Sequence, residues 1–187
     1  MNEINFKSMQ RTRTNLPHSG KPLKTAPAMD TPYEPVIIAF DPSITAWGWA
    51  AVNIVTGEVI GAGCIKTSSE SKQRRIRKGD DRVRRVAEIN EDILRLHQTY
   101  DIQLIVTEQP HGSQSAVAAV MIGIVIGMIQ TFSQCMGIPV EYYSEGDSKN
   151  TLLKKRSATK NEMKTAISKH YPATCVIVFC TIVIPHC

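Results

Sequence analysis

The sequence predicts an α/β protein with a mixed five-stranded sheet and flanking helices. Three observations carry this. Three short apolar runs between Val36 and Lys66 are separated only by turns, which makes them an antiparallel meander. A helical repeat over 82–100 then leads into the apolar run Ile102–Thr107, and a strand–helix–strand crossover sets the new strand parallel to an earlier one. A second, almost wholly apolar helical stretch ends before a fifth strand, Ile138–Ser144.

The first strand, Val36–Phe40, is large and apolar and is followed at once by Asp41-Pro42-Ser43. A short apolar run bounded by proline marks a buried strand. A carboxylate is almost never fully buried without a partner, so Asp41 belongs at the strand's C-terminal mouth. The second strand, Trp47–Ile54, follows Pro42-Ser43-Ile44-Thr45, and the third, Glu58–Lys66, follows a tight turn at Thr56-Gly57. Gly48, Gly61 and Gly63 inside these strands predict bulges or close backbone approach.

Residues 70–85 hold Lys72, Arg74, Arg75, Arg77, Lys78, Arg82, Arg84 and Arg85 against Glu70, Asp80 and Asp81. This is either a solvated loop and helix start or a surface that tracks phosphates. From Arg82 to Tyr100, Val83, Val86, Ile89, Ile93, Leu94 and Leu96 recur at helical spacing, giving an amphipathic helix on the sheet. The strand Ile102–Thr107 ends in Glu108. Pro110-His111-Gly112-Ser113 is a turn, and a helix of about Gln114–Met136 follows, capped by Ser113 or Ser115. Being apolar nearly all round, it should be buried on more than one side. Gly123 and Gly127, four apart, predict close packing on the sheet or on a symmetry mate. Ser148–Lys155 is a short helix with Lys149, Lys154 and Lys155, and Thr159-Lys160-Asn161-Glu162 is a capping box opening a last helix that Pro172 ends.

The 187 residues, 42% hydrophobic and 21% charged, fit one domain with tails. Residues 1–34 are a flexible basic arm, with or without a DNA-binding role; 35–172 form the folded domain; 173–187 are a charge-free apolar tail. The net charge of +5 favours a polyanion, nucleic acid before membrane surface. Five cysteines without a C-x-x-C pair argue against a zinc site or a disulfide framework and for a reducing, cytoplasmic setting. No secretory signal is expected. Nor is a membrane partner, because the uncharged apolar stretch Ala116–Ile129 is shorter than the about 20 residues a bilayer needs.

If the strands of Asp41 and Glu108 are parallel neighbours, both carboxylates emerge at one end of the sheet. Such a pair raises its own pKa values unless a cation lies between, and hard oxygen donors select Mg²⁺ or Mn²⁺. Two such ions would support phosphodiester hydrolysis. The other reading is that Asp41 caps a turn before Ser43 and Glu108 pairs with an arginine.

The order of Ile37-Ile-Ala-Phe-Asp41-Pro-Ser-x-Thr-x-Trp-Gly-Trp-Ala50, Gly61-Ala-Gly-Cys-Ile-Lys-Thr67, Ile105-Val-Thr-Glu108-Gln-Pro and Arg156-Ser-Ala-Thr-Lys160-Asn-Glu-Met resembles the RuvC family of Holliday-junction resolvases, particularly its bacteriophage-type members. The resemblance covers about Val36–Pro172. It implies an RNase H-like fold, a homodimer, Mg²⁺ dependence and endonuclease action on four-way DNA junctions. It makes Asp41 and Glu108 the catalytic and metal-binding acids. It sets Lys149 and Lys160 towards DNA, beside the basic candidates Arg74, Arg75, Arg77, Lys78, Lys154 and Lys155, and puts His111 where many members carry a junction-wedging aromatic.

The departure is at the end. The family closes its site with two further acids on a final helix, whereas no Asp or Glu follows Glu162 here. The expectation is a missing final helix, a replaced terminus, and branched-DNA binding with poor cleavage or none; Glu145 and Asp147 are the nearest later acids. Competing readings are another nuclease or transposase-like enzyme of this fold, a non-catalytic junction-binding protein, and a nucleotide-binding fold of the sugar-kinase and actin type. The last needs a glycine-rich phosphate loop after the first strand, and Pro42-Ser43-Ile44-Thr45 is not one.

Overall fold

The computed structural model describes residues 34–70, 76–109, 112 and 115–170. The expectations for the basic arm, for the tail, and for Arg74, Arg75 and His111 lie outside the described residues. Five strands form one sheet: β1 (Pro35–Asp41), β2 (Ala46–Asn53), β3 (Val59–Lys66), β4 (Asp101–Glu108) and β5 (Val140–Tyr143). The helices are α1 (Lys78–Thr99), α2 (Ala116–Met136), α3 (Glu145–Leu153) and α4 (Lys160–His170). Strand order is β3-β2-β1-β4-β5. The meander β1-β2-β3 is antiparallel, and β4 runs parallel to both β1 and β5.

Side chains alternate across a sheet. One face sends Val36, Ile38, Phe40, Trp47 and Ile105 into a core shared with Ile89, Ile93 and Leu96 of α1 and Val125, Met128, Ile129 and Phe132 of α2. Phe40 and Trp47 meet edge to face at 5.5 Å. Completely burying each large apolar side chain is worth about 1.5–3 kcal/mol, so this layer fixes the register on which the far face depends. The glycines of β3 serve close approach, as predicted. A Cβ at Gly63 would lie 2.7–2.9 Å from the Trp49 indole, which therefore lies flat over the strand.

α1 begins at Lys78, four residues before the predicted start. Asp80 and Asp81 occupy its first turn, where carboxylates suit the positive end of the helix dipole. Two expectations for α2 are corrected. Its uncharged sequence continues past Ile129 to Met136, so the 21-residue helix is long and apolar enough to cross a membrane by length and composition. One of its sides is nevertheless built into the core of the sheet. Among the described residues it is also not buried on more than one side: Val117 is 62% and Val120 49% exposed, and a Cβ at Gly123 or Gly127 would meet nothing within 4 Å. Ser115 is its cap, its hydroxyl accepting from Ala118 N, and Gly137 ends it in the left-handed conformation with φ 68°.

α3 starts at Glu145, ahead of the predicted Ser148, because Ser144 caps it by accepting from Asp147 N. The box at Thr159 forms reciprocally: Thr159 N donates to Glu162 Oε2 at 2.6 Å and Glu162 N to Thr159 Oγ1 at 3.3 Å. Among the described residues no helix follows α4.

Candidate functional site

Asp41 and Glu108 are the last residues of β1 and β4. These strands are parallel neighbours, in register through Phe40 and Thr107, so the two acids lie one step further along both. Asp41 also faces Gly48 on β2, and Glu108 faces Tyr143 on β5. The row Gly48–Asp41–Glu108–Tyr143 thus crosses four strands on the face opposite Phe40. A Cβ at Gly48 would lie 3.4 Å from Asp41 Cβ and 4.0 Å from its Oδ2. Glycine there leaves the carboxylate open on that side.

The electrostatics couple the acids. Asp41 is pushed from its ordinary 3.8 up to about 6, chiefly by burial and next by the charge of Glu108, while Lys160 pulls the other way. Two carboxylates held close under partial burial favour either a proton or a cation between them. Both are hard oxygen donors at a half-open sheet end, the donor chemistry that suits a hard divalent cation. Among the described residues no cluster of three or more His, Cys, Asp or Glu side chains could hold a metal. Asp147 is engaged elsewhere: its carboxylate accepts from Ser144 Oγ at 2.6 Å and from Arg156 at 2.9 Å, and these partners hold its pKa below the usual value. Neither it nor Glu145, ion-paired with Lys149 at 2.6 Å, completes the site.

Of the predicted basic residues, Lys160 lies near enough to Asp41 for its charge to oppose the raised pKa. Lys149 is paired with Glu145, Lys155 with Glu162 at 2.7 Å, and Arg77 with Asp80 at 2.8 Å. Exposed pairs of this kind are weak and screened by salt, so they leave Lys155 and Arg77 able to exchange a carboxylate for a phosphate. Lys78 opens α1, and Lys154 ends α3 with φ 53°.

The basic run 70–85 contains two arginines that the fold itself uses. Arg84 bonds Asp81 at 2.8 Å, Glu88 at 2.5 Å and the Ser68 carbonyl at 2.6 Å. Arg85 is 8% exposed and turns inward. The sequence signal was periodic: Asp81, Arg85, Ile89, Ile93 and Leu96 are the buried residues of α1, and their spacing follows one helical stripe. Tyr143 and Gly48, beside the acids, were legible only once strand register was known.

Among solved structures the chain is similar to a RuvC from T. thermophilus in complex with Holliday junction substrate. The TM-score is 0.60 at 19% identity, covering 81% of this chain and 85% of that one. It is also similar to a second Thermus thermophilus RuvC structure, with a TM-score of 0.55 at 17% identity, covering 81% and 86%. No protein-family model matches the chain, and no curated protein matches it in sequence. The likeness establishes the fold as the RNase H-like, mixed five-stranded one.

Proposed function

We propose that this protein binds four-way DNA junctions as a resolvase-type endonuclease, with one divalent ion, Mg²⁺ or Mn²⁺, held by Asp41 and Glu108, and with cleavage impaired by the shortage of acids. The observation that carries the reading is the pairing of two half-buried carboxylates at the ends of parallel neighbouring strands, with Asp41 raised to about 6. One of the similar structures is a RuvC bound to Holliday junction substrate, which supports branched DNA as the ligand class.

A bound divalent ion supplies Lewis-acid polarisation of a phosphodiester oxygen. The chain's own residues do the rest. Asp41 and Glu108 orient the ion site, Gly48 keeps its flank clear, and Lys160 places a positive charge beside Asp41 for an incoming phosphate. Lys78, Lys149, Lys154 and Lys155, with Arg74, Arg75 and Arg77, supply backbone neutralisation, which is sequence-independent and falls with salt. A two-ion arrangement asks for more oxygen donors than this pair offers, and residues 163–187 carry no carboxylate side chain.

An open junction is twofold symmetric, and an isologous homodimer presents two equivalent sites to it. The exposed side of α2, with Val117, Val120, Gly123 and Gly127, supplies an apolar surface for that contact.

The lack of a third acid beside this pair among the described residues favours a second reading, a branched-DNA-binding protein that does not cut. One experiment separates the two: binding and cleavage of a synthetic four-way junction and of a matched linear duplex, with Mg²⁺ and with EDTA. Junction-selective binding with slow, Mg²⁺-dependent cutting that Asp41→Asn abolishes supports the nuclease. Selective binding without cutting supports the binder. Equal affinity for junction and duplex refutes both.

A further inference from the structure

We infer that Arg85 is a positioning residue for the ion site at Asp41 and Glu108, acting through the loop that leaves Asp41. The inference rests on the proposed ion site and extends it to a side chain that touches neither carboxylate.

Asp41 ends its strand, and the chain must turn back through Pro42, Ser43, Ile44 and Thr45 to place Gly48 opposite it. Such a connection holds few ladder bonds of its own and frays unless tied down. Arg85 ties it. Its Nη2 donates to the Ile44 carbonyl at 2.9 Å and to Thr45 Oγ1 at 3.0 Å, and its Nε donates to Thr67 Oγ1 at 2.7 Å. Thr67 closes the loop on itself: its Oγ1 donates to the Ile44 carbonyl at 2.5 Å and its N to the Thr45 carbonyl at 3.1 Å.

One planar guanidinium therefore joins the exit of β1, the exit of β3 and the first turns of α1, which only a rigid fork of donors can do. Arg85 itself sits on the buried stripe of α1 above Ile89 and Ile93, so helix packing sets where the fork points. Its neighbours extend the anchor. Asp81 accepts from Ser69 Oγ at 2.8 Å and from Glu70 N at 3.1 Å.

At 8% exposure the guanidinium is not available to a DNA phosphate, which separates it from the surface basic residues. Its three acceptors are a carbonyl and two hydroxyls. They satisfy donors and do not neutralise charge, so an apolar residue that merely filled the space would give the fold its packing but not the loop its tether. Partners hydrogen-bonded directly to metal ligands typically carry about 10–100-fold in metal affinity, and a tether three residues along the loop belongs at the low end of that range.

The test uses the full chain and Mn²⁺ as the probe, with binding read by electron paramagnetic resonance, junction affinity read in EDTA, and melting followed in parallel. The variants are Arg85→Met, Arg85→Lys and Thr45→Val, with Asp41→Asn as control. Thr45 is exposed, so Thr45→Val deletes one acceptor of the fork without disturbing the core. The expected result is Mn²⁺ affinity about tenfold weaker in Arg85→Met, an intermediate loss in Arg85→Lys, and about threefold in Thr45→Val. Junction affinity in EDTA should stay within about twofold, because the phosphate-binding surface is untouched.

Unchanged Mn²⁺ affinity in Thr45→Val and in folded Arg85→Met overturns the inference, as does a loss of junction affinity that matches the loss of Mn²⁺. If Arg85→Met fails to fold, Thr45→Val decides. A wild-type chain that binds Mn²⁺ no better than Asp41→Asn overturns the ion site itself, and with it this role for Arg85. That outcome is distinguished by the control alone.

Discussion

Asp41→Asn should stabilise the protein at alkaline pH and do so less in acid. In the folded chain Asp41 is raised from 3.8 to about 6 by burial and by Glu108, so the fold prefers the neutral acid. The stability contributed by that preference is fully present below 3.8 and is lost as pH rises through about 6. A tenfold change in proton affinity is worth about 1.4 kcal/mol, so ionised Asp41 costs the fold about 3 kcal/mol at most. Partial solvent access reduces this to about 1–2 kcal/mol. Asparagine keeps the shape and cannot ionise.

The melting temperature of Asp41→Asn relative to wild type should therefore rise by roughly 2–8 °C between pH 4 and pH 8 for a domain of this size. Millimolar Mg²⁺ should recover the deficit of the wild type at pH 8 and leave the variant unmoved, since a ligand stabilises only the state that binds it. Scanning calorimetry at several pH values reads both effects. A melting difference that does not change with pH, or an equal Mg²⁺ response in the two proteins, would refute the reasoning.

Glu108→Gln should bring the Asp41 pKa only part of the way back towards 3.8, because burial is the larger cause and remains; carboxyl-carbon NMR titration of Asp41 reads it, and a value that stays near 6 would deny the coupling. Asp81→Asn should act with the opposite sign to Asp41→Asn. The Arg84 guanidinium holds the Asp81 carboxyl down at about 2, so the stability Asp81 gives is present above about 3.8 and is lost as pH falls towards 2. Urea unfolding should find the variant weaker at pH 6 and converging on wild type in strong acid. Gly63→Ala drives a methyl to within 2.7–2.9 Å of the Trp49 indole and should cost about 1–3 kcal/mol by overpacking, with a red-shifted tryptophan emission; an unchanged unfolding midpoint would show that the indole does not lie over β3.

The strands were legible because their signals are local. Val36–Phe40 and Ile102–Thr107 are apolar runs closed by an acid, and both became the strands that carry the site. Their parallel pairing followed from the helix between them, whose stripe at Ile89, Ile93 and Leu96 survived into the core. Boundaries slipped where a cap outweighed periodicity. Ser144 and Asp147 pulled α3 forward to Glu145, and Asp80 and Asp81 pulled α1 forward to Lys78. Arg85 was hidden for a different reason. Its charge grouped it with a surface run, while its position in the helical period had already assigned it to the interior.

α2 sets the remaining problem, because composition says that a helix is apolar on all sides without saying what covers each side. The sheet takes Val125, Met128, Ile129 and Phe132. Val117, Val120, Gly123 and Gly127 are left open. A Cβ at either glycine would meet nothing within 4 Å among the described residues, so packing among those residues gives no reason for them. A helix that approaches closely along that side does give one, because the missing side chains let two backbones come near each other. The proposed isologous dimer provides such a helix as the twofold copy of α2 itself. If Gly123→Leu leaves the monomer's melting unchanged but abolishes a dimer seen by analytical ultracentrifugation, the open side is the contact. A chain that sediments as a monomer at every concentration would remove that explanation and leave the apolar face of α2 to another partner.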